Sequence, residues 1–158
     1  MMNNHFKKIF ISFCIFGVIA ALNAQAQLTS ELEAWQVKAE NALQAGEILT
    51  AYKYYSRLVY KAPENKAYRL ALAAIEMQWG HGDSAQKIIA PVLALYPYHK
   101  QASLLQVRID LYNKMYAAAE ARLLTLRQYY PDDADITNSL SSLYGRIGQA
   151  EKAESLRQ

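Results

Sequence analysis

Cysteine is almost absent from this chain of 158 residues, because Cys14 is the only one. A single thiol excludes an internal disulfide framework and a thiolate zinc site. Histidine is also scarce, and neither His81 nor His99 has a second metal ligand one helical turn away. The acidic stretch DDAD at 132–135 lacks the glycine and the distal glutamate of a calcium loop, and we interpret it as the charged start of a helix. We therefore expect no bound metal.

The usual signs of catalysis are missing as well. The six glycines do not form a phosphate-binding loop. Ser139, Ser141 and Ser142 have neither a nearby histidine nor flanking elbow glycines, so a nucleophilic hydrolase is not indicated. No segment alternates apolar and polar residues, so no β-sheet is expected. The sequence predicts an all-α protein that is not an enzyme and needs no cofactor.

The first residues have the pattern of a targeting segment. Two lysines precede the apolar run IFISFCIFGVIAAL at 9–22, and Ala24 and Ala26 follow it as an A-x-A site. A basic start, a short apolar centre and small residues at the exit are typical of a secretory signal peptide. We predict a cleavable signal at 1–26 and an exported, periplasmic protein. An uncleaved anchor is the alternative, although the run is shorter than the ~20 residues that span a bilayer.

Cleavage would alter the charge of the protein. The chain has 17 basic and 14 acidic residues, and loss of Lys7 and Lys8 would reduce the excess of positive charge from three to one. Such a small excess does not indicate a nucleic-acid partner. Loss of the apolar run would also leave no segment for stable membrane insertion. The mature part, 27–158, would then be held together by packing alone.

A period of 34 residues runs through the mature part of the chain, and such a period indicates a repeat architecture. Each repeat contains a proline, a small residue before it and a glycine earlier still. The repeating positions are Pro63, Pro97 and Pro131; Ala51, Ala85, Ala119 and Ala153; and Gly46, Gly80 and Gly148, with Lys114 in place of the glycine in the third repeat.

The first repeat carries the spacing of a known family. Its matching positions are Trp35, Ala39, Gly46, Ala51, Tyr55 and Pro63. In these residues the chain resembles the tetratricopeptide repeat family, although Lys38 and Ala42 replace the leucine and tyrosine usual there. The resemblance implies a right-handed solenoid of about three and a half helix-turn-helix repeats. The repeats would span 32–65, 66–99, 100–133 and 134–158, each with a helix A and a helix B.

Residue patterns suggest where individual helices begin and bend. In the first repeat we predict that helix A starts at the N-cap Ser30, with Glu33 completing a capping box. Helix B should end before Pro63, since a proline disfavours helix at the residue before it. Pro91 lies inside the second helix B and is expected to kink it. Alanines such as Ala39 and Ala73 should lie where two helices approach closely.

The resemblance also implies a concave groove lined by the A helices, which would bind an extended peptide or a helix of a protein partner. By position, the groove residues would be Gln36, Glu40 and Gln44; Ala74, Met77 and Gln78; Arg108, Leu111 and Tyr112; and Asn138, Ser142 and Arg146. Family members that clamp a C-terminal carboxylate have lysine and asparagine near Gln36 and Glu40, and Glu40 would repel that carboxylate. We expect an exported scaffold or assembly factor of the cell envelope that is monomeric alone. The alternative is a permanent structural subunit of an envelope export, pilus or secretion complex.

Tyrosine and the last helix complete the sequence picture. The twelve tyrosines are expected mostly in seams between helices, with Tyr54 and Tyr112 exposed. The last helix is predicted to cover Leu140, Leu143 and Ile147 with Ala150, Ala153 and Leu156, and to present charge outward. Arg157 stands where the other repeats have an apolar residue. A polar outer face is typical of a terminal repeat, so we expect this helix to act as a cap that ends the chain.

Overall fold

The computed structural model describes the backbone of residues 4–156 and the side chains of residues 21–156. Within that part of the chain the secondary structure is entirely helical, which confirms the all-α prediction. The helices are α1 (Asn4–Gln44), α2 (Ile48–Lys61), α3 (Lys66–Gln78), α4 (Gly82–Leu95), α5 (Lys100–Tyr112), α6 (Tyr116–Tyr129), α7 (Ala134–Arg146) and α8 (Ala150–Ser155). They form two compact bodies: an N-terminal body, Met1–Lys61, and a C-terminal body, Ala62–Gln158.

In the N-terminal body, α1 and α2 pack against each other through small side chains. Ala39 and Ala51 are completely buried, and Ala42 is nearly so. Because alanine presents only a Cβ, the two helix axes can approach to the lower end of the usual ~8–10 Å range. Tyr55 and Leu58 fill the remainder of this interface from α2.

Helix α1 begins much earlier than the sequence predicted. Ser30 lies inside the helix, so the predicted N-cap and capping box with Glu33 are wrong. The reason is local: no glycine or proline occurs in residues 18–45, and a helix propagates readily through such a segment. The predicted signal, 1–26, lies mostly outside the residues whose side chains are described. Among the described residues, no helix has the length and apolar character required to cross a membrane.

The C-terminal body contains three further helix pairs with a continuous apolar interior. One cluster joins α3, α4 and α5 through Ala73, Ala85, Ile89, Leu105 and Ile109. A second joins α5 to α8 and is listed by its fully buried members, Ala119, Leu123, Ile136, Leu140 and Leu143. The predicted small or apolar positions of the repeat therefore form the core.

The first helix of each of these pairs begins at a side-chain cap. Asn65 accepts hydrogen bonds from two backbone N–H groups of α3, and Asp133 does the same for α7. His99 caps α5, because its Nδ1 accepts from the N–H of Ala102 at 3.3 Å. The three caps are 34 residues apart. This agrees with the interpretation of 132–135 as a helix start, whereas His99 is half-buried and not simply an exposed turn residue.

Pro91 lies inside α4 without ending it. The helix runs continuously from Gly82 to Leu95, and Pro91 is exposed. An exposed position limits the consequence of the missing backbone N–H, because the carbonyl one turn earlier can bind water instead.

The prediction that most tyrosines lie in seams is wrong. Of the twelve, only Tyr55, Tyr68 and Tyr144 are buried. Tyr54, predicted to be exposed, is half-buried because two cations lie over its ring. The exposed set comprises Tyr60, Tyr96, Tyr98, Tyr112, Tyr116, Tyr129 and Tyr130. Several of these lie beside the prolines that end the helices and pack on one another, as in the stacked rings of Tyr98 and Tyr129, whose centroids are 4.1 Å apart.

Helix α8 contributes to the second cluster through two residues. Ala153 is buried and Leu156 packs against the cluster that contains Leu140 and Leu143. Ala150 is exposed, contrary to the predicted inward stripe, because it is the first residue of the helix. Arg157, which entered the cap prediction, and the final Gln158 lie outside the described residues.

Candidate functional site

Two adjoining clefts lie along the first helices of the pairs in the C-terminal body. The cleft between α3 and α5 has a volume of about 280 Å³. The cleft between α5 and α7 has a volume of about 400 Å³. Leu104 and Arg108 of α5 line both, so the two clefts form one strip, which we call the groove. Its lining residues are Leu70, Ala74, Gln101, Leu104, Leu105, Val107, Arg108, Leu111, Asp135, Asn138, Ser139 and Ser142.

The composition of the groove changes along its length. Towards α3 it is largely apolar, with Leu70, Ala74 and Leu105. Towards α7 it carries amide, hydroxyl and carboxylate groups, from Asn138, Ser142 and other residues. A ligand that lies across the three helices would therefore place an apolar side chain at one end and hydrogen-bonding groups at the other.

The structure brings together five of the residues predicted for the groove. Ala74, Arg108, Leu111, Asn138 and Ser142 all line it. Each contributes from α3, α5 or α7, which are the A helices of the predicted repeats.

The other predicted residues of the C-terminal body lie elsewhere. Met77 is half-buried and packs against the cluster of α3, α4 and α5. Gln78 and Arg146 are exposed at the last positions of α3 and α7, outside the lining of either cleft. Tyr112 is 58% exposed, but one edge of its ring covers the α3–α4 turn. A Cβ added to Gly82 would lie 3.3 Å from Cδ1 of this ring.

Gln36, Glu40 and Gln44 belong to the N-terminal body and follow one another at four-residue spacing along α1. Glu40 and Gln44 are exposed, and Gln36 is half-buried. The side chain of Gln36 donates a hydrogen bond from Nε2 to Oε1 of Glu40 at 2.8 Å. These residues present an amide and a carboxylate, which agrees with the expectation that no carboxylate clamp is formed here.

Leu70 and Leu104 are groove residues that the sequence reasoning missed. They stand 34 and 68 residues before or between the predicted position Asn138, that is, at the same place in successive repeats. Applying the position of Asn138 to every repeat would have found both. Gln101 and Asp135, which form another such pair, were missed for the same reason.

Arg108 is the charged centre of the groove. It is exposed and lines both clefts, and it forms no salt bridge within the described part of the chain. Asp135, the acidic residue of the α7 side, has its Oδ2 3.6 Å from Nζ of Lys100. A negatively charged group of a ligand can therefore approach Arg108 without displacing an internal partner.

Lys100 is held beside the groove by a closer acid. Its Nζ donates to Oδ2 of Asp133 at 2.7 Å. This hydrogen bond raises the pKa of Lys100 and is the largest reason that the pKa of Asp133 is lowered. Backbone N–H groups of α7 that bind the same carboxylate lower it further. The pair fixes the start of α7 relative to α5.

A buried polar network lies behind the groove on α5. Asp110 is buried, and its carboxylate accepts from Nε2 of Gln106 at 2.8 Å and from Nε of Arg122 at 3.4 Å. A similar carboxylate, Glu76 of α3, lies 2.8 Å from Nδ1 of His81. Both acids have polar partners, so they connect neighbouring helices. In the residues with described side chains, no group of three or more potential metal ligands was found.

No protein-family model and no curated protein sequence matches the chain. Solved structures do match. A tetratricopeptide repeat protein from Parabacteroides merdae is 17% identical, with a TM-score of 0.69, over 85% of this chain and 58% of that chain. MamA from Desulfovibrio magneticus RS-1 is 21% identical, with a TM-score of 0.68, over 79% of this chain and 71% of that chain.

A third similar structure contains a ligand. It is the second tetratricopeptide repeat domain of human RPAP3 in complex with an HSP70 peptide, which is 13% identical with a TM-score of 0.64, over 73% of this chain and 97% of that chain. The present chain spans 58% of the length of the Parabacteroides merdae protein. At these identities the likeness concerns the fold: the chain has the helix-turn-helix repeat fold of tetratricopeptide repeat proteins.

Proposed function

We propose that this chain is an exported protein-interaction scaffold or assembly factor that binds a peptide or helix of a cell-envelope partner in the groove. The observation that carries the proposal is the continuity of the two clefts through Leu104 and Arg108. A strip shared by three helices suits an elongated ligand better than a compact one. The peptide complex of the similar RPAP3 domain supports a peptide as the ligand class.

The groove chemistry favours a particular kind of peptide. An acidic side chain would pair with Arg108, and an apolar side chain next to it would contact Leu70 and Leu105 at the α3 end. The amide of Asn138 and the hydroxyl of Ser142 could hydrogen-bond the peptide backbone beyond the charge. An exposed arginine without an internal acid is the residue type most favoured at such interfaces.

Export rests on the N-terminal pattern and has its own test. The A-x-A site of Ala24 and Ala26 places the new N-terminus at Gln27. Intact-mass measurement of the protein from an envelope fraction should give the mass of 27–158. A species that retains 1–26 would instead mean that the segment stays as an anchor.

The binding role is tested by a double variant, Arg108→Ala with Arg146→Ala. Both residues are exposed and form no salt bridge among the described residues, so thermal melting should change little. Capture of a partner from envelope extract should weaken about tenfold or more, as for loss of an interface arginine. Arg127→Ala, an exposed arginine on α6 away from the groove, is the matched control.

The outcomes separate binding from the alternative function. A salt-sensitive partner that is lost only in the groove variant supports an exchangeable ligand. Copurification at a fixed ratio, unaffected by the groove variant and by salt, would identify a permanent subunit of a larger complex. A collapse of melting in the double variant would show that the arginines support the fold.

A further inference from the structure

The N-terminal body carries a second basic surface, away from the groove residues of α3, α5 and α7. Helix α2 places Lys53, Arg57 and Lys61 at four-residue intervals, and no acidic residue occurs anywhere in Ile48–Lys61. At a rise of ~1.5 Å per residue, these cations recur about every 6 Å along one side of the helix. All three are exposed.

Aromatic rings lie beside these cations. The guanidinium carbon of Arg57 is 5.7 Å from the ring centroid of Trp35 and 5.9 Å from that of Tyr54. Nζ of Lys38 lies 5.7 Å from the Tyr54 ring as well. Such cation–π contacts restrict where the positive charges can lie while leaving them unneutralised.

A cleft opens where the basic row meets the rings. It has a volume of about 500 Å³ and is lined by Trp35, Ser56, Arg57, Tyr60 and Lys61. Tyr60 is 82% exposed although its ring is largely apolar. We call these five residues the α2 cleft. It combines two aromatic walls with two cations and contains no acid.

None of the cations of α2 is neutralised internally. Within the described part of the chain, Lys53, Arg57 and Lys61 form no salt bridge. The acidic residues of the described N-terminal body lie on α1 and in the turn that follows it, at positions 31, 33, 40 and 47. A complementary ligand must therefore supply negative charge from outside.

We propose that the α2 cleft is a second docking site, which binds an acidic peptide segment of a protein. An aromatic or aliphatic side chain of the peptide enters between Trp35 and Tyr60, and carboxylates on either side of it pair with Arg57 and Lys61. The concave shape favours a peptide over an anionic membrane, because a flat lipid surface would contact the cations without filling the cleft. This site is separate from the groove and does not depend on the function proposed for it.

The test uses the fluorescence of Trp35. The chain contains two tryptophans, so Trp79→Phe leaves Trp35 as the only reporter. The probe is a synthetic peptide in which glutamates surround a central pair of leucines, titrated into the full chain at low salt. We expect a saturable change in Trp35 emission, with a Kd that rises as salt is added because exposed charges are screened. A peptide with lysines in place of the glutamates should cause no change.

Charge-reversal variants locate the binding surface. Arg57→Glu with Lys61→Glu should weaken peptide binding at least about tenfold, since like charges would then face the peptide. Tyr60→Ala should weaken it several-fold while melting stays the same, because the side chain is exposed. Lys87→Glu, an exposed lysine on α4, is the matched control and should bind like the parent.

The remaining outcomes overturn the proposal. If the acidic peptide leaves Trp35 emission unchanged, the cleft does not bind this class of ligand. If binding is lost in Arg108→Ala but kept in the double charge reversal, the peptide occupies the groove instead. If phosphatidylglycerol vesicles bind the parent better than the charge-reversed protein, while the peptide does not bind, the basic row is a membrane contact. The comparison of variants removes the contribution of the apolar run 9–22, which they share.

Discussion

Lys114 occupies a backbone conformation that disfavours every residue except glycine, and replacing it should stabilise the protein. Its φ is 59°, whereas the corresponding positions of the other repeats are glycines with φ between 74° and 79°. The turn is set by two backbone hydrogen bonds: Lys114 N–H donates to the carbonyl of Leu111 at 3.2 Å, and Met115 N–H to that of Asp110 at 2.7 Å. This pattern ends a helix with one left-handed residue.

The expected gain follows from two opposing terms. A left-handed conformation costs an L-residue roughly 1–2 kcal/mol. Glycine removes that cost but increases the conformational freedom of the unfolded chain, which costs about 0.4–1 kcal/mol. Lys114 is exposed and forms no salt bridge among the described residues, so its side chain contributes little else. Lys114→Gly should therefore raise the free energy of unfolding by about 0.5–1 kcal/mol.

Urea unfolding followed by circular dichroism measures this difference, and the corresponding rise in Tm is about 1–4 °C for a chain of this size. Lys114→Ala is the matched control, because it removes the same amine and keeps the backbone strain. Gly148→Ala tests the converse at the same place in the last repeat, where no atom lies within 4 Å of the added Cβ. It should lose about 1 kcal/mol from backbone strain alone. Equal stability of Lys114→Gly and Lys114→Ala would refute the reasoning.

Three further predictions concern packing and charge. The lowered pKa of Asp133 means that its carboxylate stabilises the folded state above the pH at which an unfolded aspartate titrates, and that this contribution is lost as the pH falls through the lower folded value; Asp133→Asn should weaken the acid dependence of Tm below about pH 4, and an unchanged pH profile would contradict this. Arg122→Met should lower the free energy of unfolding by about 2 kcal/mol, because it leaves the buried Asp110 without its cation, whereas adding Asp110→Leu should recover most of the loss; urea unfolding of the single and double variants decides the point. Deleting 149–158 should remove the cover of Ala153 from the second cluster, cost about 3 kcal/mol of stability from exposed apolar area, and promote aggregation; light scattering and melting equal to those of the parent would show that this helix is not a cap.

The repeat made the core of the fold predictable. Ala51, Ala85, Ala119 and Ala153 occupy one position of the repeat, and all four are buried. A position where two helices touch admits only a small residue, so the constraint recurs in every repeat and is visible in the sequence. The start of α1 was not predictable in this way, because the helix extends into residues that precede the first repeat and contain no helix-breaking residue.

Exposed aromatic residues were harder to place than the core. Periodicity identifies a face of a helix, but it does not say whether another helix covers that face. Tyr60 on α2 and Tyr129 on α6 therefore resemble core residues in the sequence, yet both are exposed. Their exposure depends on the ends of the helices, where the chain turns and a large ring can pack on a neighbouring loop residue.

The groove differs from the core in how its positions vary between repeats. The positions of Leu70, Leu104 and Asn138 are equivalent, as are those of Ala74 and Arg108, and their chemistry changes from one repeat to the next. A residue that contacts a ligand need not satisfy the neighbouring helix, so the repeat places no common constraint on it.

Variation between repeats does not by itself mark the groove, however. Glu76, Asp110 and Tyr144 also share one position of the repeat and differ in chemistry, yet all three are buried. Each has its own polar partner, respectively His81, Arg122 and Glu120. In these cases the change of residue is matched by a change of partner inside the protein, as burial of a polar group requires. Arg108 has no such partner among the described residues, and it is this combination of variation, exposure and missing internal partner that distinguishes a recognition residue from a buried one.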